Sequence, residues 1–150
     1  MNYKEFIDNG LIKEENIGFD QINKLIERAF RNIKSAKVLI KDDDKEGAFR
    51  FAYEAMLLAG RALVFSYGFR PRSIGSHKIV VDFVSEVLGK NYKLLAQKFD
   101  RMRRKRNYLI YGIGLAISDK EARDAVDNAK EFLEVIKKII KDKDKQKELV

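Results

Sequence analysis

Along most of this chain apolar residues recur every three or four positions, the period of helices with one buried face. From Asp20 to about Lys41, Ile22, Leu25, Ile26, Ala29, Ile33, Ala36 and Ile40 mark such a face, with Asp20 placed as its N-cap. Asp42, Asp43 and Asp44 interrupt it. Asp43 and Glu46 have the spacing of a capping box for the next helix. That helix, about Lys45 to Tyr67, is apolar nearly all round: Ala48, Phe49, Phe51, Ala52, Ala55, Met56, Leu57, Leu58, Ala59, Ala62, Leu63, Val64 and Phe65. A helix with no polar face belongs at the centre, with neighbours on several sides. Glu54 and Arg61 are its only mid-helix charges, on the seam of Phe51, Leu58 and Phe65. An unpaired buried charge is costly, so each is expected to have a partner.

The Gly/Pro-containing segment Tyr67–Gly75 reads as a loop with a small basic spot, Arg70-Pro71-Arg72. A shorter helix follows from Ser76 to Leu88, with Ile79, Val80, Phe83, Val84 and Val87 on one face and Gly89 past its end. Another runs from about Tyr92 to Tyr111, closed by Gly112-Ile113-Gly114. The last begins at Ser118, where Ser118 and Glu121 form a capping box, and carries Ala122, Ala125, Ala129, Phe132, Ile136 and Ile139 on one side. After Lys141 the apolar pattern is lost. No strand-period segment bounded by turns and no internal repeat is apparent. The pattern predicts an all-α, up-and-down helical bundle of four main helices plus a short one over residues 20–141. Residues 1–19, with Tyr3, Phe6 and Ile7, form an arm or short helix. Residues 142–150 form a charged, frayed tail.

Charge changes the picture at one place. The chain of 150 residues has a formal net charge of +8. Eight basic residues and one acid lie between Lys90 and Tyr111, so that segment carries +7 of it. Any function that requires positive charge is expected there. The chain has no cysteine, no apolar run that spans a bilayer and no signal-peptide pattern, and it reads as cytoplasmic.

Within the basic helix, Leu95, Phe99, Met102, Arg106, Leu109 and Ile113 step four and three residues apart, so Arg106 occupies a slot in the buried stripe. Two readings stand: a structural role, in which Arg106 snorkels or forms a buried ion pair with Glu54, or a guanidinium lining a cleft. Arg101 and Arg104 fall on the opposite side. Tyr92, Tyr108 and Tyr111 are interleaved with the basic residues, which suits phosphate contact with base stacking. His77 is the only histidine, at the start of a helix, placed for local hydrogen bonding or for proton transfer at a loop mouth. A lone histidine makes no multi-histidine metal site. The adjacent aspartates 42–44 read as a cap and turn, and no metal or cofactor is expected. Phosphate-binding glycine loops, Gly-x-Ser-x-Gly and His-Glu-x-x-His are absent.

The order of helices, the text Ala48-Phe-Arg-Phe-Ala-Tyr-Glu-Ala-Met-Leu-Leu-Ala-Gly-Arg-Ala-Leu63, and Arg106-Asn107-x-x-x-Tyr111 together resemble a HEPN domain over roughly residues 20–140. The resemblance implies a helical bundle that dimerises with its Arg motifs along a shared cleft. It further implies a ribonuclease, or a partner of a small nucleotidyltransferase in toxin–antitoxin or defence systems. The catalytic family motif is Arg, four to six residues, then His; here Tyr111 stands at the histidine position. With a pKa near 10, tyrosine is a poor general base at neutral pH. The expectation is therefore a nucleotide- or RNA-binding module, with Arg103, Arg104, Arg106, Asn107 and Tyr108 as binding residues and Glu54 and Arg61 as a supporting ion pair. The alternative is a metal-independent ribonuclease using Arg106 with Tyr111 or His77. On an ideal helix Arg106 and Tyr111 point about 140° apart.

Overall fold

A computed structural model describes residues 3–112 and 116–148. Among the described residues six α-helices form an all-α bundle: α1 (Tyr3–Asp8), α2 (Phe19–Lys41), α3 (Lys45–Ser66), α4 (Ser76–Leu88), α5 (Lys93–Tyr111) and α6 (Asp119–Glu148). One 3₁₀ turn, Lys90–Tyr92, leads into α5. No helix among the described residues is long and apolar enough to cross a membrane.

α3 is central, as its largely apolar surface requires. Thirteen of its residues are buried, and it packs on α2, α4, α5 and α6. Four rings run through the core in sequence. His77 of α4 meets Tyr53 of α3, Tyr53 meets Phe99 of α5, and Phe99 meets Phe132 of α6, with centroids 5.9, 6.0 and 5.0 Å apart.

The strict alternation of an up-and-down bundle is interrupted once. Tyr53 meets His77, Gly60 faces Val80 and Val84, and Tyr67 meets Phe83, so α3 and α4 run in the same direction. The chain must climb back along α3 before α4 begins, about 21 Å for the fourteen residues between Tyr53 and Tyr67. The extended segment between Tyr67 and Ser76 spans that distance. Part of it is strand rather than loop: β2 (Phe69–Pro71) pairs antiparallel with β1 (Ile12–Glu14), with Pro71 opposite Ile12. Three residues per strand are too few to show a period of two, and the proline is tolerated because both strands are edges.

Helix ends refine the sequence reading. α2 is preceded by Gly18, which gives no side-chain cap, and Asp20 sits in its first turn. The cap of α3 is Asp44, whose Oδ1 accepts from the Gly47 N–H at 2.9 Å, while Asp43 takes the left-handed turn at φ 60°. The Ser118–Glu121 box forms as expected: Glu121 N–H donates to Ser118 Oγ at 3.0 Å and Ser118 N–H to Glu121 Oε1 at 3.3 Å. α6 continues past Lys141 into the region expected to fray. Lys143 places its ammonium 3.6 Å from the centre of the Tyr67 ring, and Lys147 lies 5.4 Å from that of Phe19. Cation–π contacts thus replace the apolar stripe as the hold on this end.

Gly60 marks the closest approach in the core. A Cβ there would stand 2.5 Å from Val80 Cγ1 and 3.4 Å from Val84 Cγ2. Gly60→Val is expected to destabilise the protein by about 2–3 kcal/mol, the scale of an overpacked core. Urea denaturation checks this.

Candidate functional site

The basic half of α5 divides when its side chains are followed to their partners. Asp100 takes two of its charges. Arg103 donates to Oδ1 from Nε at 3.0 Å and from Nη2 at 2.9 Å, and Arg104 Nη2 lies 3.1 Å from Oδ2. Lys105 reaches across to Glu121 of α6 at 3.2 Å. Arg103 is thereby largely covered, its side chain 15% exposed, whereas Arg104 remains 60% exposed. Arg106 forms no ion pair among the described residues.

Arg106 interrupts the apolar stripe of α5 between Met102 and Leu109, which packs against the edge of the core. Leu95, Phe99 and Met102 are buried, but Arg106 is only half-buried. It lines a groove of about 390 Å³ with Gly47, Arg50, Phe51 and Glu54 of α3. The expected ion pairs of Glu54 and Arg61 are absent: neither makes one among the described residues, and both are half-buried rather than buried. No charged side chain among the described residues is fully buried, which removes the need for such pairs. A second groove, about 540 Å³, lies on the other flank of α5 and is lined by Arg104, Asn107, Tyr108 and Gly112. Tyr108 is 63% exposed. Four of the five residues expected to bind nucleic acid therefore line two grooves on one helix end, and Arg103 lies between them, tied to Asp100. Tyr111 ends α5, but its side chain, like residues 113–115, lies outside the described ones.

His77 joins this region from α4. Tyr53, 1% exposed, has its hydroxyl 2.9 Å from Nδ1 of His77. When the imidazole carries its proton on Nε2, the phenol donates to Nδ1. This bond crosses between helices, so His77 does more than satisfy its own helix start. Burial first, then the fields of Arg106, Arg61 and Arg103, hold the His77 pKa down at about 4. Burial also raises the Tyr53 phenol well above its ordinary value, against the opposing fields of Arg106 and Arg103. Both groups are neutral at pH 7, in a recess where three guanidinium groups act on one imidazole.

Sequence reasoning missed Tyr53, which sits in an apolar run. The available signal was its hydroxyl, since a buried Tyr O–H usually finds a partner.

With this geometry in hand, comparison with protein families gives a match to the HEPN domain over residues 22–140. The chain belongs to the HEPN domain family. HEPN domains have nucleotide- and RNA-related roles. Comparison with curated proteins gives no match. The family assignment agrees with the helical bundle.

The depressed His77 pKa has a signed consequence. In the folded protein His77 takes up its proton near pH 4, but in the unfolded chain near 6.5. Its contribution to stability is complete above pH 6.5 and is lost as pH falls toward 4. Because it is the only histidine, one imidazole NMR titration should show a midpoint near 4. The part of the stability slope between pH 5 and 6.5 should disappear in His77→Gln.

Proposed function

We infer that this HEPN domain binds RNA or nucleotide phosphates along the C-terminal half of α5. We further infer that it acts as a dimeric module with a small nucleotidyltransferase partner in a toxin–antitoxin or defence-type system. The observation that carries the binding reading is Arg106. It is a half-buried guanidinium in a groove, without an ion pair among the described residues, beside neighbours already tied to carboxylates. A guanidinium placed this way matches phosphate geometry and is weakly hydrated, so it loses little on contact. Arg104 and Asn107 extend the same helix end toward the second groove, where the exposed Tyr108 offers a stacking face.

A second reading is a metal-independent ribonuclease. It is favoured by His77, a neutral imidazole in the field of Arg106 and anchored by Tyr53. In it Arg106 would stabilise the scissile phosphate while His77 or Tyr111 moves the proton.

Single-stranded RNA binding should weaken steeply with salt. Arg104→Ala should reduce the slope of log affinity against log salt by about 1. Arg106→Ala should cost about 1.5–3 kcal/mol of affinity, the scale of a charge-assisted hydrogen bond. Fluorescence anisotropy across a salt series checks both, and a flat salt response would exclude the binding reading. Incubation of RNA with excess protein in EDTA separates the two readings: intact RNA leaves the binder, and cleavage lost in Arg106→Ala establishes the nuclease.

A further inference from the structure

The groove on the α3 side of Arg106 holds an unusual set of side chains for one small space. Arg50 and Arg106 make no ion pair among the described residues, and neither does Glu54, which lies between them in sequence on the groove wall. Phe51 is 41% exposed, whereas most apolar residues of α3 are buried. Opposite charges share the recess without closing the 4.0 Å distance of an ion pair. The groove, about 390 Å³, falls within the roughly 300–1,000 Å³ that encloses a small ligand.

The chemistry limits what fits. A bare phosphate would satisfy the guanidinium groups but place an anion beside Glu54. An acidic peptide has the same fault. An apolar group would cover Phe51 and strand three charges. A nucleotide meets all the groups at once, with its phosphate on Arg106 or Arg50, the base stacked on Phe51, and an N–H edge of that base donating to Glu54. An ionised carboxylate only accepts, with two oxygens side by side. Among the four RNA bases only guanine offers two adjacent donors, N1–H and the N2 amino group, on its Watson–Crick edge. Adenine and cytosine offer one amino group each. Uracil offers one N–H between two carbonyls, which face the carboxylate unfavourably.

We propose that this groove is a base-reading pocket that selects guanine in single-stranded RNA, with Phe51 as the stacking platform and Glu54 as the residue that sets specificity. The inference rests on Arg106 being a phosphate-binding group.

The test uses the full chain and four labelled uracil-rich hexanucleotides that carry guanine, inosine, adenine or uracil at one central position. Anisotropy should give guanine the tightest binding, with uracil weaker by about tenfold, the scale of one bidentate base contact. Inosine, which lacks the N2 amino group, should fall between them. Glu54→Gln should erase the preference while still binding the uracil strand. Phe51→Ala should weaken all four strands by a similar factor, about tenfold.

If Arg106→Ala weakens every strand but wild-type protein binds the four alike, the base-reading pocket is wrong and the phosphate reading survives. If Arg106→Ala changes nothing, the phosphate reading itself fails. Sedimentation of Phe51→Ala covers the remaining case: an altered oligomeric state with the guanine preference intact means a second copy covers Phe51, and the proposal is overturned.

Discussion

α3 has to be surrounded. A helix with thirteen buried residues leaves water only a narrow stripe that includes Arg50, Phe51, Glu54 and Arg61, so α2, α4, α5 and α6 are placed by the need to cover the rest. The same demand decides where polarity can survive. Of its mid-helix polar groups, Tyr53 is covered by α4 and α5, while Glu54 and Arg61 lie where that cover thins out. Tyr53 is buried and resolves its hydroxyl by bonding to His77. Glu54 and Arg61 remain half-buried and reach solvent instead of each other. The candidate site is thus the rim at which the cover of α3 ends.

Arg106 belongs to that rim. Its position on α5 follows the core stripe, between Met102, which is buried, and Leu109, which packs against the edge of the core. The guanidinium emerges in a groove with α3 rather than inside the bundle. Nearby, Asp100 and Glu121 absorb Arg103, Arg104 and Lys105. Three of the eight basic residues between Lys90 and Tyr111 are therefore paired locally, and those left to act on a ligand are fewer. The helix looks like a uniform basic surface in the sequence and acts as a patterned one in the fold.

The main helices were legible because a 3.6-residue period repeats over twenty or so residues and capping residues mark several of the ends. The Ser118–Glu121 box and the close of α4 at Gly89 were read directly. The β1–β2 ribbon was not, because strands of three residues carry no period. The parallel course of α3 and α4 was not, because periodicity gives a buried face but no direction. Asp44 rather than Asp43 caps α3 because the turn puts Asp43 in the left-handed region, a choice that three identical residues conceal. At the site, Arg106 was recognisable as an exception to its stripe. That Glu54 would leave it unpaired was not, since angular position on a helix does not fix how far two side chains stand apart. The Tyr53–His77 bond joins residues 24 apart in sequence, beyond the reach of any local pattern.

Whether Arg106 exists for the fold or for a ligand can be measured on one variant. Arg106→Met keeps the side chain's length and apolar stem while removing the charge. With no carboxylate partner to strand, its unfolding free energy should equal or exceed that of the wild type, while its RNA affinity falls about tenfold or more. A loss of about 3–5 kcal/mol in stability with affinity unchanged for the folded fraction would mean that Arg106 is a structural charge, and the account would be wrong at its centre.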